Sequence, residues 1–224
     1  MARFRRLEVL TKIEEIGLIP VFFTPDEEKA KGILKACAKG GALCVEMTNR
    51  GDRAIEIFKT LEEYARTEFP DVILGVGSVV DAPTAALYIA YGANFVVGPV
   101  LDEETAILCN KRKIPYSPGC GSASEIHRAE ALGVEICKIF PGAQVGGPGF
   151  VKAIRGPCPW TSIMPTGGVS PTRESLTEWF DAGVTAVGIG SKLVTKELLE
   201  RGDFEALAEK IEDTIKLIKE IRKR

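Results

Sequence analysis

The chain has 224 residues, of which 45% are hydrophobic, with 29 basic and 31 acidic side chains. This is enough for a well-buried core, and one large α/β domain fits the length as well as two small ones do. The formal net charge of −2 gives no broad attraction to nucleic acid or to a membrane surface, so neither is expected as a partner. No apolar run reaches the length of a membrane span, and the first residues lack the apolar segment of a secretion signal, so we expect a cytoplasmic protein.

After a leading helical pattern at about residues 5–17, short apolar runs alternate with longer amphipathic ones. A new apolar run starts roughly every 20 to 29 residues, which is the period of a strand followed by a helix. We predict eight strands at residues 18–23, 43–48, 72–77, 94–99, 115–118, 135–140, 162–166 and 185–190. A last helix is predicted at about residues 204–224.

Start signals mark several of the intervening helices. Thr24 precedes a proline and has an acid three residues later, and Ser122 has Glu125 in the same place, so both are predicted N-caps. Ser170 and Pro171 are expected to open a third helix. The single histidine, His127, falls within the helical pattern after Ser122 and is interpreted as a surface or packing residue.

Eight parallel strands, each followed by a helix, predict a (β/α)8 TIM barrel formed by residues 1–224 as a single domain, with an extra N-terminal helix. A doubly wound open sheet is the rival, but it needs fewer strands and usually a glycine-rich turn after the first. Here the first strand runs into Phe22-Phe23-Thr24-Pro25 instead. The barrel is therefore favoured.

The most informative stretch is residues 135–140, an apolar strand with Lys138 in its middle. An ammonium on such a strand costs several kcal/mol unless it is paired or neutralised. A desolvated lysine loses its proton more easily and can attack a carbonyl to form a Schiff base. The alternative is a lysine near a strand end whose charged head reaches water.

Glu46 is a carboxylate inside the second strand, and it is the acidic counterpart of Lys138. If both side chains point inward they could act together in proton transfer, or they could form a structural ion pair. Barrel enzymes place their chemistry at the carboxyl ends of the strands, where both residues would lie.

Glycines follow the last two strands, as Gly167-Gly168 and as Gly190 before Ser191. Glycines in these two loops let backbone N–H groups approach a phosphate, so we predict a phosphate cradle there. With one histidine and no C-x-x-C pair among six cysteines, metal-ligand spacing is absent and no metal site is predicted.

Five linked motifs, in order between about residues 19 and 194, resemble the 2-keto-3-deoxy-6-phosphogluconate (KDPG) aldolase family, which includes 4-hydroxy-2-oxoglutarate aldolases. These motifs are Glu46-x-Thr48-x-Arg50, Gly75-Val76-Gly77-Ser78, Cys137-Lys138-Ile139-Phe140-Pro141, Pro165-Thr166-Gly167-Gly168 and Gly188-Ile189-Gly190-Ser191. The resemblance implies a class I aldolase that needs no metal or other cofactor, acts on a small 2-keto acid phosphate and assembles as a homotrimer.

Carried over by position, the resemblance makes Lys138 the Schiff-base lysine and Glu46 the acid/base carboxylate. It implies that the substrate is bound by Arg50, Thr48, Ser78, Pro99, Phe140 and Thr166. Of these, Arg50 and Thr48 would hold the pyruvyl carboxylate region or the hydroxyl groups of the chain. It implies phosphate binding by Gly167, Gly168, Gly190 and Ser191. Residues 142–144, Gly-Ala-Gln, depart from the stretch often seen in the family, which leaves the preferred substrate open.

Two other functions are compatible with these patterns. A sugar-phosphate isomerase or epimerase would share the phosphate loops without needing Lys138. A trimeric building block of a larger, possibly engineered, assembly would need no chemistry at all.

Overall fold

The computed structural model describes residues 2–223. Its helices are α1 (Arg6–Ile16), α2 (Glu27–Lys39), α3 (Ala54–Glu68), α4 (Ala82–Ala90), α5 (Glu103–Arg112), α6 (Ala123–Ala131), α7 (Gly147–Arg155), α8 (Arg173–Asp181), α9 (Lys196–Arg201) and α10 (Phe204–Arg222). Its strands are β1 (Leu18–Phe22), β2 (Cys44–Thr48), β3 (Ile73–Gly77), β4 (Val96–Val97), β5 (Tyr116–Ser117), β6 (Gly119–Cys120), β7 (Ile136–Ile139), β8 (Ser162–Pro165) and β9 (Val187–Ile189).

All strand pairs are parallel and form two sheets in the order β5-β4-β3-β2-β1-β9 and β6-β7-β8. A parallel bridge between Thr166 and Gly188 joins the end of β8 to β9. Only Pro118 separates β5 from β6, so the two sheets are also consecutive along the chain there. The result is an α/β fold with a curled parallel sheet, in which the carboxyl ends of neighbouring strands lie at one edge.

The strands are buried on both faces, which explains why they read as continuous apolar runs rather than alternating ones. Every residue of β1, β2, β3 and β7 is buried. Amphipathic helices such as α2, α3 and α10 contribute buried apolar residues to the core. In this setting Glu46 and Lys138 are among the few charged side chains in the core.

Each predicted apolar run contains a strand, but several strands are shorter than predicted. The fifth run continues past Pro118 into β6, because proline has no N–H for the ladder and interrupts the pairing. The leading helix is confirmed as α1. The last helix ends at Arg222, and residue 224 of its predicted range lies outside the described residues.

Of the three predicted helix N-caps, one is confirmed and two are wrong. Ser122 accepts a hydrogen bond from the Glu125 N–H at 3.3 Å and caps α6. Helix α2 is capped by Asp26, which accepts from the Lys29 N–H at 3.0 Å; Thr24 instead bonds the Asp26 N–H. Helix α8 is likewise capped two residues later than predicted, by Thr172. In both cases a competing hydroxyl or carboxylate closer to the helix takes the capping position.

His127 is exposed on α6, as predicted. Within residues 2–223, no helix combines the length and the apolar character needed to cross a bilayer.

Candidate active site

A cavity of about 520 Å³ lies at the carboxyl ends of β1, β2, β7, β8 and β9. Its volume is in the range typical of small-molecule sites. It is lined by Val21, Phe22, Phe23, Thr48, Arg50, Phe140, Thr166, Gly167, Gly168, Val169, Gly188, Gly190, Ser191, Lys192, Val194 and Leu199. Residues from the first and the last strands and from the segments that follow them therefore line one cavity, because the parallel sheet places the carboxyl ends of these strands at one edge.

Lys138 lies in β7 and is 5% exposed. Its Nζ is 4.7 Å from the centroid of the Phe140 ring, and Phe140 lines the cavity. Phe140 follows β7 directly, two residues after Lys138, and this contact shows that the two side chains lie on the same side. The lysine thus lies just behind the cavity wall, beside an aromatic ring and away from bulk water.

Burial lowers the pKa of the Lys138 ammonium, and the positive charge of Arg50 lowers it further, while Glu46 acts in the opposite direction. Burial wins because the charged form loses hydration that a single carboxylate does not replace. The amine is consequently easier to deprotonate than an exposed lysine, as a nucleophile requires.

Glu46 lies in the centre of β2 and is 1% exposed. Burial raises the pKa of its carboxyl group, and the nearby charges of Lys138 and Arg50 partly offset this. Its Oε2 atom is buried and accepts no hydrogen bond from any described residue. A carboxyl group with a raised pKa and an uncommitted oxygen is suited to accept and return a proton.

Lys138 and Glu46 influence each other's pKa, but within residues 2–223 no salt bridge joins them. The structural ion pair considered from the sequence is therefore absent. Burial raises the pKa of Glu46 and lowers that of Lys138, so it favours the neutral form of each group. The apolar core can therefore hold both side chains at a lower cost than two charges would carry.

Gly77 makes room for the Glu46 carboxylate. The two residues lie on the paired strands β3 and β2, and a Cβ atom added at Gly77 would overlap Oε1 of Glu46. Gly77, the last residue of β3, is thus needed for the position of the Glu46 carboxylate in the neighbouring strand β2.

Thr48 and Arg50 bring polar groups to the cavity where β2 ends. The Thr48 hydroxyl is buried and donates to the Phe22 carbonyl at 3.3 Å. Arg50 is exposed, and its Nε donates to Oγ of Ser78 at 3.2 Å. The Ser78 contact links the ends of β2 and β3 and orients the guanidinium.

The loops after β8 and β9 face the same cavity. Gly167 and Gly168 have φ values of 88° and 84°, a region that disfavours residues with a Cβ atom. Among the hydrogen bonds of the described chain, none uses the backbone N–H of Gly168, Gly190 or Ser191. N–H donors that no described residue uses, in glycine-rich loops, suit an anion such as phosphate.

Thr166 lies between the two halves of the site. Its Oγ1 is buried and has no hydrogen-bond partner within residues 2–223, and a Cβ atom at Gly188 would overlap it. Thr166 lines the cavity, so this hydroxyl is a polar group in the cavity wall without a partner among the described residues.

The unusual residues 142–144 support the glycine loop from behind. The N–H of Gly142 donates to the Thr166 carbonyl at 2.9 Å, and that of Ala143 donates to the Gly167 carbonyl at 3.1 Å. A Cβ atom at Gly142 would lie 2.6 Å from the Gly167 oxygen. The small residues of this stretch therefore allow the close approach of the two loops.

The predicted site residues do not all line the cavity. Of the twelve, eight do: Thr48, Arg50, Phe140, Thr166, Gly167, Gly168, Gly190 and Ser191. Lys138 is next to the lining residue Phe140, Glu46 is buried in β2, and Ser78 is connected to the lining through Arg50. Pro99 is outside the lining in the described structure; its carbonyl packs where a Cβ atom of Gly119 would be, so its observed contact is with β6.

Sequence reasoning missed several lining residues. Lys192 follows Gly190-Ser191 directly and could have been noticed as a cation in a glycine loop. Phe22 and Phe23 end the first apolar run, and the sequence alone does not distinguish a phenylalanine that lines a cavity from one that packs in the core. Leu199 is on α9, a short helix that the strand count did not anticipate.

The family model for KDPG and KHG aldolase matches residues 9–210. A 2-dehydro-3-deoxy-phosphogluconate aldolase of Pseudoalteromonas atlantica is 33% identical over 192 residues, which cover 86% of this chain and 86% of the relative. A KHG/KDPG aldolase of Escherichia coli is 31% identical over 192 residues, covering 85% and 86%.

Among solved structures, KDPG aldolase from Legionella pneumophila, with pyruvate captured as a covalent carbinolamine intermediate, is similar with a TM-score of 0.83. It is 29% identical, and the match covers 92% of this chain and 97% of that one.

Proposed function

Because the chain belongs to the KDPG and KHG aldolase family, we propose that it is a class I aldolase that cleaves 2-keto-3-deoxy-6-phosphogluconate to pyruvate and glyceraldehyde 3-phosphate. The cleavage of 4-hydroxy-2-oxoglutarate to pyruvate and glyoxylate would be a second activity of the same site. The observation that carries the proposal is a buried lysine with a lowered pKa beside a cavity in which the charged lining residues of the described chain, Arg50 and Lys192, are both cationic.

In this mechanism the neutral amine of Lys138 attacks the C2 ketone and gives a carbinolamine, which loses water to form an iminium. The iminium accepts the electron pair of the C3–C4 bond as a base removes the proton of the C4 hydroxyl, and the aldehyde leaves. The resulting enamine is protonated at C3, and water then releases pyruvate and the free amine. Glu46, with its raised pKa and uncommitted Oε2, is the candidate for these proton transfers.

The remaining site residues would position the substrate. Arg50 and Thr48 would hold the carboxylate or the chain hydroxyls, with Ser78 orienting Arg50. Thr166 would donate or accept through its free hydroxyl, and Phe140 would wall the reacting end. Gly167, Gly168, Gly190 and Ser191 would bind the phosphate. Pro99 would contribute to substrate binding from the segment after β4, where its carbonyl packs against Gly119.

We also propose that the eight strand positions close into a single (β/α)8 barrel spanning residues 1–224, with α1 as its extra helix. The bridge from Thr166 to Gly188 and the succession of β5 and β6 across Pro118 support this closure. A cytoplasmic homotrimer is proposed as well; exposed apolar side chains such as Leu87, Tyr91 and Ile107 offer surface that an oligomer could cover.

The mass of the particle in solution tests the proposed trimer. Light scattering should report a particle of three chains, each of 24.2 kDa. A much larger closed particle would favour the building-block alternative, and a monomer would contradict the trimer.

Reduction with borohydride in the presence of pyruvate tests the chemistry. We expect a reduced pyruvyl group on Lys138, located by peptide mass analysis. Lys138→Met should give no adduct and lose at least about 10⁴-fold in aldol cleavage. This variant should stay folded, because methionine replaces a buried amine with an apolar chain of similar length.

Lys196→Met is the matched control, since Lys196 is exposed and lies outside the cavity. It should form the adduct at the normal rate. Turnover retained in folded Lys138→Met would overturn the assignment of the nucleophile, and the absence of any adduct in the unmodified protein would favour the isomerase alternative.

A further inference from the structure

Lys192 is a cation at the glycine-rich end of the cavity. It follows Ser191 in the turn after β9, it is exposed, and it lines the cavity together with both glycine loops. Its carbonyl accepts a hydrogen bond from Nζ of Lys210 at 2.8 Å, which ties this turn to α10. No carboxylate of residues 2–223 forms a salt bridge with it, so its charge is available to a ligand.

The charge distribution in the cavity is one-sided. Arg50 and Lys192 are the only charged side chains in the lining formed by the described chain, and both are cationic. Arg50 stands where β2 ends and is held by Ser78, whereas Lys192 stands where β9 ends. The cavity thus offers two separate positive groups, in the segments that follow two different strands, which fits a molecule with two anionic groups.

Backbone N–H groups alone leave a phosphate incompletely compensated. The glycine loops supply hydrogen-bond donors but carry no net charge, while a phosphate monoester carries about −1.5 to −2 at pH 7. An ammonium is a compact point charge that pairs well with such a group, and hydrogen bonds to charged partners are stronger than neutral ones.

We infer that Lys192 is a specificity-determining residue that pairs with the phosphate of the substrate and sets the preference for phosphorylated over unphosphorylated aldehydes. This inference rests on the proposed aldolase function and deepens it. The contact is remote from the reacting carbons, so it acts in the ground state and the transition state alike, and its loss should raise KM more than it lowers kcat.

Aldol addition of pyruvate to a phosphorylated and to an unphosphorylated aldehyde distinguishes a specific role of Lys192 in phosphate binding from a general role in activity. The protein and Lys192→Gln are compared with D-glyceraldehyde 3-phosphate and with D-glyceraldehyde. We expect kcat/KM for the phosphorylated aldehyde to fall about 10- to 100-fold in Lys192→Gln. The value for D-glyceraldehyde should remain within about twofold, and Lys192→Arg should recover most of the loss because it restores the positive charge.

Lys196→Gln serves as the matched control. Lys196 is four residues further on, exposed, absent from the lining, and paired with Glu200 at 3.4 Å. Its removal should leave the ratio of the two aldehydes unchanged. An equal fall for both aldehydes in Lys192→Gln, or an unchanged ratio, would overturn the inference.

Binding of sn-glycerol 3-phosphate, measured by calorimetry, tests the same contact without turnover. The unmodified protein should bind it at least about 10-fold more tightly than Lys192→Gln. Equal binding, or no binding by either, rejects a phosphate role for Lys192. Failure of the proposed function would show differently, as a missing pyruvyl adduct on Lys138 after borohydride treatment.

Discussion

The reactive end of the site and its glycine-loop end use opposite physical devices. At the reactive end, Lys138 and Glu46 do not line the cavity; they are 5% and 1% exposed, and burial lowers the pKa of the lysine and raises that of the glutamate. At the other end, Gly168, Ser191 and Lys192 line the cavity and are exposed to solvent. Reactivity of a lysine depends on removing water, because hydration is what keeps its proton bound. Recognition of a phosphate depends on preformed donors and a permanent charge, which need no dry environment.

The largest effect that would separate the two ends is expected from Glu46→Gln. Glutamine keeps the shape of the side chain but cannot take up a proton, so kcat should fall about 10²- to 10⁴-fold while the pyruvyl adduct on Lys138 still forms. Binding of sn-glycerol 3-phosphate should be unaffected, because it takes place at the exposed end. Steady-state kinetics and calorimetry measure the two effects separately.

Glu63→Gln is the matched control for this variant. Glu63 is an exposed carboxylate on α3 with only a 3.8 Å pairing to Lys59. A kcat for Glu46→Gln within about threefold of the control would contradict a proton-transfer role.

A smaller effect is expected from Gly77→Ala, which tests whether the dry end depends on close packing. The added methyl group would overlap the Glu46 carboxylate and displace it, so kcat should fall about 10- to 100-fold. Gly149→Ala on α7 is the matched control, because a Cβ atom there meets nothing within 4 Å. That control should keep full activity and gain about 0.5–1 kcal/mol in free energy of unfolding. Equal activities of the two variants would show that Glu46 tolerates displacement.

The smallest effect concerns the pH dependence of adduct formation. Only the neutral amine attacks, so the rate should rise with pH through the pKa of Lys138 and level off below the ordinary lysine value of 10.5. Arg50 lowers this pKa, and Arg50→Met should therefore move the midpoint to higher pH and slow the reaction at pH 7. Rates of borohydride-trapped adduct across pH measure the shift.

Arg53→Met provides the comparison for Arg50→Met, since Arg53 is exposed and pairs with Glu56 at 3.1 Å. Its midpoint should match that of the unmodified protein. A midpoint that moves to lower pH in Arg50→Met would reverse the assigned influence of the guanidinium.

Much of the reactive end could be predicted from local sequence. Lys138 and Glu46 stand out because each is a charged residue within an apolar run, and alternation places Phe140 on the same face as Lys138. The alternation of runs likewise predicts the order of strands and helices. These signals are local: they depend on residues within one element and on the cost of burying a charge.

The predictions that were wrong, or that could not be made, involve competition between neighbouring residues or contacts between distant segments. Helix α2 is capped by Asp26 rather than by Thr24, because two nearby side chains compete for one capping position. Substrate binding by Pro99 stays a prediction: Pro99 lies two residues after β4, and its carbonyl packs against Gly119 of β6. The role of Lys192 depends on where the turn after β9 lies relative to the loop after β8, which no local pattern records.

The sequence by itself determined which segments are buried, which charged residues lie within them and where glycines allow loops to approach. It left undecided whether burial and Arg50 or the carboxylate of Glu46 governs the pKa of Lys138. The tertiary structure decides in favour of burial, since the parallel sheet encloses the lysine without bringing the carboxylate into a salt bridge with it among the described residues. Periodicity is a property of each element, whereas desolvation and the meeting of strand ends depend on how all the elements pack.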